Sequence, residues 1–383
     1  MKRLFSLLVL ALSFSAIFAQ QTTVALLNHE GTITTYYGTE ALTQAHKAAV
    51  HGDVITLSGG SFTTPSSWTK AVTLRGAGCY EGADNSREVT SIGNTFQLAI
   101  PTDIETTITI EGISFKNSFS FDVNKARTKN TTFLKCHFMN GVSSVCGNTN
   151  FYNCILSSSL NFSGTTTQLA NVNMFNCYIN NASNTGSYKS YISIKLTNCI
   201  IKFSGTNSSD SRSYGRNDLV WHIEYAKYTN CIFIGNLLAN YRDDRPSMYN
   251  IPATCTATNC LSCYCAYKNA TETEDAIYDY NIFDEMGNAT NSYLEEGKPL
   301  SETIKSVFKT YNGTDGFSFN DLYELTDEAK AKYIGSDGTQ IGLHGGMGFD
   351  LVPSTLQITK CEVAPRSTTD GKLSVSIEVG IPE

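Results

Sequence analysis

Two stretches of this sequence gather the side chains that sugar chemistry uses. Residues 204–218 hold Asp210, Arg212, Arg216 and Asp218, and residues 236–252 hold Tyr241, Arg242, Asp243, Asp244 and Arg245. Between them stand Trp221, one of only two tryptophans, His222 and Glu224. An aromatic platform can carry the apolar face of a sugar ring, while an imidazole and nearby carboxylates can move protons. On that reading Asp243, Asp244, His222 and Glu224 are the catalytic candidates. Trp221, Tyr241, Arg212, Arg216, Arg242, Arg245, Asp210 and Asp218 are the binding candidates. Carboxylates about 5 Å apart would fit a retaining glycosidase, and wider ones an inverting one. The competing reading is plain: mixed charges in a long loop pair with one another, and Trp221 packs beneath them.

What must position these residues is a repeat. Asn-Cys recurs at Asn153-Cys154, Asn176-Cys177, Asn198-Cys199, Asn230-Cys231 and Asn259-Cys260, with a near-copy at Lys135-Cys136. Successive cysteines are separated by 18, 23, 22, 32 and 29 residues, so the two long intervals are where the charged stretches enter. Self-similarity near 22 residues marks a chain wound into stacked, equivalent coils. Each repeat reads apolar, x, Asn or Lys, Cys, x, apolar, and the one at Ala257 to Ser262 is degenerate. Ile192, Ile194 and Leu196 alternate with Ser193 and Lys195, which is a strand with one buried face. The three-residue step from Leu196 to Cys199 breaks that period, so a bend falls at Thr197-Asn198. Asn tolerates the left-handed region such a bend needs. Stacked bends, about 4.8 Å apart, would let each Asn bond to the next.

These residues resemble the right-handed parallel β-helix of the pectate-lyase-like superfamily. Glu40 to Val50 resembles its amphipathic capping helix, and Gly52 to Phe62, Val72 to Gly78 and Ile108 to Asn117 resemble its first strands and turns. The resemblance covers about residues 35 to 285. It implies an all-β, single-stranded parallel β-helix over residues 20–349, and a C-terminal extension over 350–383. The extension alternates apolar and polar residues from Leu356 to Val363 and Lys372 to Val379 around Asp370-Gly371, the pattern of a β-hairpin. Gly335 to Gly346 resembles the closing segment of such proteins, with His344 in a packing role. Thr326 is expected to cap a helix starting at Asp327. No activity within the superfamily follows. Asp243-Asp244 lacks the motifs that accompany the aspartate pair of polygalacturonases, and the signature segments of alginate lyases and chondroitinases are missing.

Composition narrows the choices. From Val123 to Ser209 there is no Asp and no Glu, so the middle coils cannot supply the carboxylates that calcium-dependent lyases or hydrolases of the superfamily use. Lys125, Arg127, Lys129 and Lys135 are read as solvated surface. Residues 1–19, with Lys2-Arg3 followed by a short apolar run, read as a secretory signal peptide, which implies a secreted, periplasmic or cell-surface protein. Removing Lys2 and Arg3 from 28 basic residues leaves 26 against 35 acidic ones, a formal charge of −9 that argues against nucleic acid as a partner. No membrane span, cofactor or metal set is expected. The 12 cysteines are read as a stack of reduced thiols rather than disulfides. Three functions remain open: a carbohydrate-interacting, non-catalytic β-helix, a polysaccharide lyase or glycoside hydrolase with its site at 204–218 and 236–252, and a structural or adhesive surface protein.

Overall fold

The alternation of apolar and polar residues produces short strands, and the register of those strands produces columns. The computed structural model of the chain describes residues 23–81, 88–125, 129–158, 160–162, 170–180, 189–203, 223–235, 240–241, 255–263, 266–269, 277–279, 288–295, 305–311, 317–319, 323–354, 357–363 and 375–380. The chain is mostly strand, in long parallel sheets with few helices, as in an all-β parallel solenoid.

Among the described residues sheet A contains twelve strands, sheet B ten and sheet C four. The chain visits them in rotation: Asn130–Leu134 lies in sheet A, His137–Phe138 in sheet B, Val142–Val145 in sheet C, and Asn148–Tyr152 returns to sheet A beside Asn130–Leu134. Parallel pairing sets Phe133, Phe151, Met174, Leu196, Tyr228 and Ala257 in one inward column of sheet A, all buried. Phe115 and Phe138 stack at 5.0 Å in sheet B, and Phe133 and Phe151 at 4.9 Å in sheet A. Each face-to-face pair repeats the strand spacing, so the core is a set of side-chain stacks rather than one central cluster.

The bend between sheets A and B has the same conformation in every repeat. Lys135, Asn153, Asn176, Asn198, Asn230, Asn259 and Asn291 all have φ between 50° and 54°. The cysteine that follows each of these bends except the last, where Ser292 stands, points inward. Cys154, Cys177, Cys199 and Cys231 are fully buried, and each thiol donates to the carbonyl two residues before it, at 3.3 to 3.4 Å. Burial raises these thiols well above their usual pKa, which keeps them protonated and unreactive. The ten cysteines whose side chains are described are all buried thiols.

Sheet A begins with a hairpin. β1 (Val24–His29) and β2 (Thr32–Tyr37) pair antiparallel, and β1 pairs antiparallel with Val54–Leu57, the first strand of the parallel series. Helix α1 (Ala41–Ala48) covers the end of the core with Ala41, Leu42, Ala45 and His46. His46 lies 4.3 Å from the Trp68 ring and accepts a hydrogen bond from Thr69 N at Nε2.

The described residues between 305 and 354 cover the outside of sheet B. Ile155, Tyr178, Ile200, Ile232 and Leu261 point away from the inner core and join Val307, Phe308, Tyr311, Tyr323, Leu325 and Leu343 in a second apolar cluster. Helix α2 (Asp327–Lys332) starts at Thr326, whose hydroxyl accepts from Ala329 N, with Asp327 and Glu328 in its first turn. The glycine-rich segment then runs back along the bends. Ser336 N donates to Asn230 Oδ1, Asn176 Nδ2 donates to Leu343 O and Gly345 O, Lys135 reaches Asp350, and Ser354 binds Glu111. Glycine is required there, because a Cβ on Gly345 would fall 2.0 Å from the backbone oxygen of Gln340. The expected amide-to-amide ladder along the bends is therefore seen weakly, at Asn259 to Asn230 (3.5 Å), while Asn176 and Asn230 bond to this segment instead.

The basic residues of the middle are not solvated throughout. Lys125 is exposed beside Asp122, but Lys129 is buried with its ammonium on Thr102 O and Ile104 O, and Lys135 bonds to Asp350 and Val352 O. Both tie separate segments together, as Lys stems over apolar surface do when their heads find acceptors. At the C-terminal end, Gln357–Val363 and Val375–Gly380 form an antiparallel pair.

Candidate functional site

Most of the sequence candidates fall outside the described residues: Asp210, Arg212, Arg216, Asp218, Trp221 and His222 before Ile223, and Arg242, Asp243, Asp244 and Arg245 after Tyr241. Glu224 and Tyr241 are placed by their backbone. Glu224 lies on Ile223–Thr229 of sheet A, and Tyr241 lies on Asn240–Tyr241, a strand of a separate small sheet paired with Ala266–Asn269. The strands from which the two charged stretches depart, Ile200–Phe203 and Ile232–Gly235, are parallel neighbours with Phe203 opposite Gly235. Both stretches therefore leave the scaffold at adjacent strand ends.

The described residues bring a different set together on the outer face of sheet A. Its strands alternate buried and exposed positions, and pairing in register converts each exposed position into a column. Asn130, Asn148 and Asn171 form one column, joined by Asn148 Nδ2 to Asn130 Oδ1 (2.9 Å) and Asn171 Nδ2 to Asn148 Oδ1 (3.1 Å). Asn150 and Asn173 form the next, joined at 2.9 Å, and Lys195 and Lys227 continue it. In the third column Tyr152 and Phe175 stack at 5.0 Å and 7°, followed by Thr197, Thr229, Thr258 and Thr290. A carboxamide bonded once on each side keeps one N–H and one lone pair for a ligand. The two rings stack along the sheet, so their positively polarised edges, rather than their faces, are turned to solvent. This face offers fixed amides, hydroxyls and aromatic edges, and the strands that build it from Asn130 to Thr197 hold no carboxylate.

A second concavity lies at the N-terminal end, a cavity of about 460 Å³ whose lining includes His29, Glu30, His51 and Asp53. His29 Nδ1 is 2.7 Å from Asp53 Oδ1, a contact that raises the His29 pKa above its ordinary value. Asp53 Oδ2 accepts from Val50 N, and His51 Nδ1 accepts from Ala71 N. With these atoms engaged and no Ser, Thr or Cys in the lining, the cluster pins the β1–β2 turn to the loop before Val54. Among the described residues no group of three or more His, Cys, Asp or Glu could hold a metal ion, and no helix is long and apolar enough to cross a membrane.

Composition alone does not separate these columns from a loop, because Asn148, Asn150, Asn171 and Asn173 are residues that loops also favour. Their spacing of two within each strand, carried between repeats, was the available signal. No protein-family model, curated protein or solved structure matches this chain.

Proposed function

We propose that this protein is a secreted or cell-surface right-handed parallel β-helix of the pectate-lyase-like kind that binds carbohydrate without cleaving it. The observation that carries this reading is the open face of sheet A, where ordered carboxamides and hydroxyls flank a pair of stacked aromatic rings and carboxylates are missing from Val123 to Ser209. Such a surface can hydrogen-bond a neutral sugar along its length, and it lacks the paired acids that glycoside hydrolysis needs. Secretion rests on the signal-like residues 1–19 and the handedness on the resemblance. A glycan array followed by product analysis tests the reading. Binding that is lost in Asn150→Ala/Asn173→Ala, without new reducing or unsaturated ends, supports it; absence of binding to any glycan removes it.

The adjacent departure of the two charged stretches favours a second reading, a polysaccharide lyase or hydrolase acting there. In that case a polysaccharide would be cleaved, and Asp243→Ala or His222→Ala would abolish cleavage while leaving the outer face of sheet A intact.

A further inference from the structure

Among the described residues, one edge of sheet A lacks the protection that edges ordinarily carry. β2 is the terminal strand of the sheet, and its sequence, Thr32-Ile33-Thr34-Thr35-Tyr36-Tyr37, contains neither charge nor proline. Its pairing with β1 is continuous over six residue pairs without a bulge. Natural edge strands are usually short, charged, bulged or covered, because an open ladder pairs with any strand that reaches it. The opposite edge of the same sheet, Asn288–Thr290, is only three residues long.

The free hydrogen-bonding groups of β2 can be assigned. The hairpin turns through Glu30 and Gly31, both at positive φ, so the flanking pair His29 and Thr32 exchanges hydrogen bonds. The alternation then directs Thr32, Thr34 and Tyr36 toward β1, in agreement with the bond from Gly38 N to Thr23 O two positions further on. Ile33, Thr35 and Tyr37 direct their N–H and C=O groups outward, and none of these groups has a partner among the described residues. Their side chains share the exposed side of the hairpin with Leu26, where Ile33 is 62% and Tyr37 65% exposed.

The geometry points to a second copy of this chain as the partner, with β2 paired antiparallel to β2 across a twofold axis through Thr35. A twofold perpendicular to the sheet keeps each face on its own side, which requires residue numbers of opposing pairs to sum to an even value. Centring on Thr35 meets that condition. It sets Thr35 against Thr35, Ile33 against Tyr37 and Tyr37 against Ile33, all with outward amides, so that about six backbone hydrogen bonds form. It also places an isoleucine opposite a tyrosine twice on the exposed face, a favoured cross-strand pair. The strand is thus complementary to itself in backbone and side chain together. The assembly joins two sheets end to end, and the outer faces of both copies point the same way.

Sedimentation velocity on the purified chain across the micromolar range is expected to give a dimer. Thr35→Pro removes an outward N–H that the hairpin does not use, so it is expected to leave the circular dichroism spectrum unchanged and give a monomer. Thr35→Cys is expected to yield a disulfide-linked dimer on mild oxidation, and Thr34→Cys is not, because residue 34 faces Tyr36 of the other copy. A monomeric wild-type chain overturns the proposal, as does a dimer that survives Thr35→Pro. Hydrogen exchange separates the remaining occupant: amides of Ile33, Thr35 and Tyr37 that are protected in a monomer mean that the edge is covered by the chain itself, which also overturns it.

Discussion

Sheets A and B are built from the same repeats, yet their outer faces have opposite fates. Outward positions of sheet B carry His137, Ile155, Tyr178, Ile200, Ile232 and Leu261, and described residues between 305 and 354 pack over them. From Asn130 to Thr229 the described outward positions of sheet A are mostly Asn, Thr, Tyr, Phe and Lys, and they remain partly or fully exposed. Among the described residues a later segment hides one face and the other is left to solvent, which distinguishes structural surface from surface available to a ligand.

The largest effect is expected where the covered face is opened. Ile232 is fully buried between sheet B and Gly342. Ile232→Ala should cost about 2–5 kcal/mol, the usual range for a buried Ile to Ala change. Urea unfolding measures this, and a loss below about 1 kcal/mol would mean that the segment does not pack on sheet B as described.

The covered face also sets an acid limit. His137 accepts or donates at Nε2 with Ser157 Oγ at 2.8 Å and lies 5.7 Å from the Phe319 ring, and burial lowers its pKa from 6.5 to about 4. A histidine depressed in the folded state binds its proton more readily when unfolded. Its contribution is therefore complete above about pH 6.5 and is lost as pH falls toward 4, on the order of 2–3 kcal/mol. His46, lowered to about 4 by burial and by the Lys70 charge, acts in the same window from beneath α1. Comparing unfolding at pH 7 and 4.5, His137→Gln should lose less stability than the wild type; equal losses would assign the acid sensitivity elsewhere.

The sequence made the period, the bends and the buried thiols legible, because Asn at positive φ and Cys after it are local requirements repeated many times. The cover over sheet B was less legible. The position after each Cys is apolar in Ile155, Tyr178, Ile200, Ile232 and Leu261, a signal of burial on both faces of the strand, but nothing local says which distant segment does the burying. Gly345 and Gly346 looked like a turn after the last coil for the same reason: glycine reports close approach, not what approaches. The polar columns of sheet A were obscured because Asn is common in both loops and ladders. The charged stretches around Asp210 and Asp243 are legible as insertions, and only their points of departure are described.

A smaller effect separates the two roles of asparagine. Asn176, at φ 50°, donates to Leu343 O at 2.7 Å and Gly345 O at 2.6 Å. Asn176→Gly keeps the bend but leaves two buried acceptors unmet, so a loss of about 2 kcal/mol is expected. Asn176→Asp should be worse, because a carboxylate faces two carbonyl oxygens without a proton to give. If both variants unfold like the wild type, the glycine-rich segment is not held by the bend amides.

On the open face the same chemistry should matter little for stability and much for binding. Tyr152 is half-buried and, among the described residues, stacks on its neighbour Phe175 in the next strand. Cross-strand pairs of this type contribute about 0.2–1 kcal/mol, so Tyr152→Ala should shift the unfolding midpoint slightly. Under the proposed function it also removes the aromatic edge beside the Asn150 and Asn173 amides, and the affinity for a bound glycan should fall by about tenfold, the worth of one well-placed contact. Asn173→Ala should repeat this pattern through the ladder: the Asn150 carbonyl loses its 2.9 Å donor and turns more freely. The decisive comparison is with Ile232→Ala, which should weaken folding and leave glycan affinity of the folded fraction unchanged. Should Tyr152→Ala instead unfold the protein as strongly as Ile232→Ala, the outer face of sheet A would be structural like that of sheet B, and the distinction between a covered and an open face would fail.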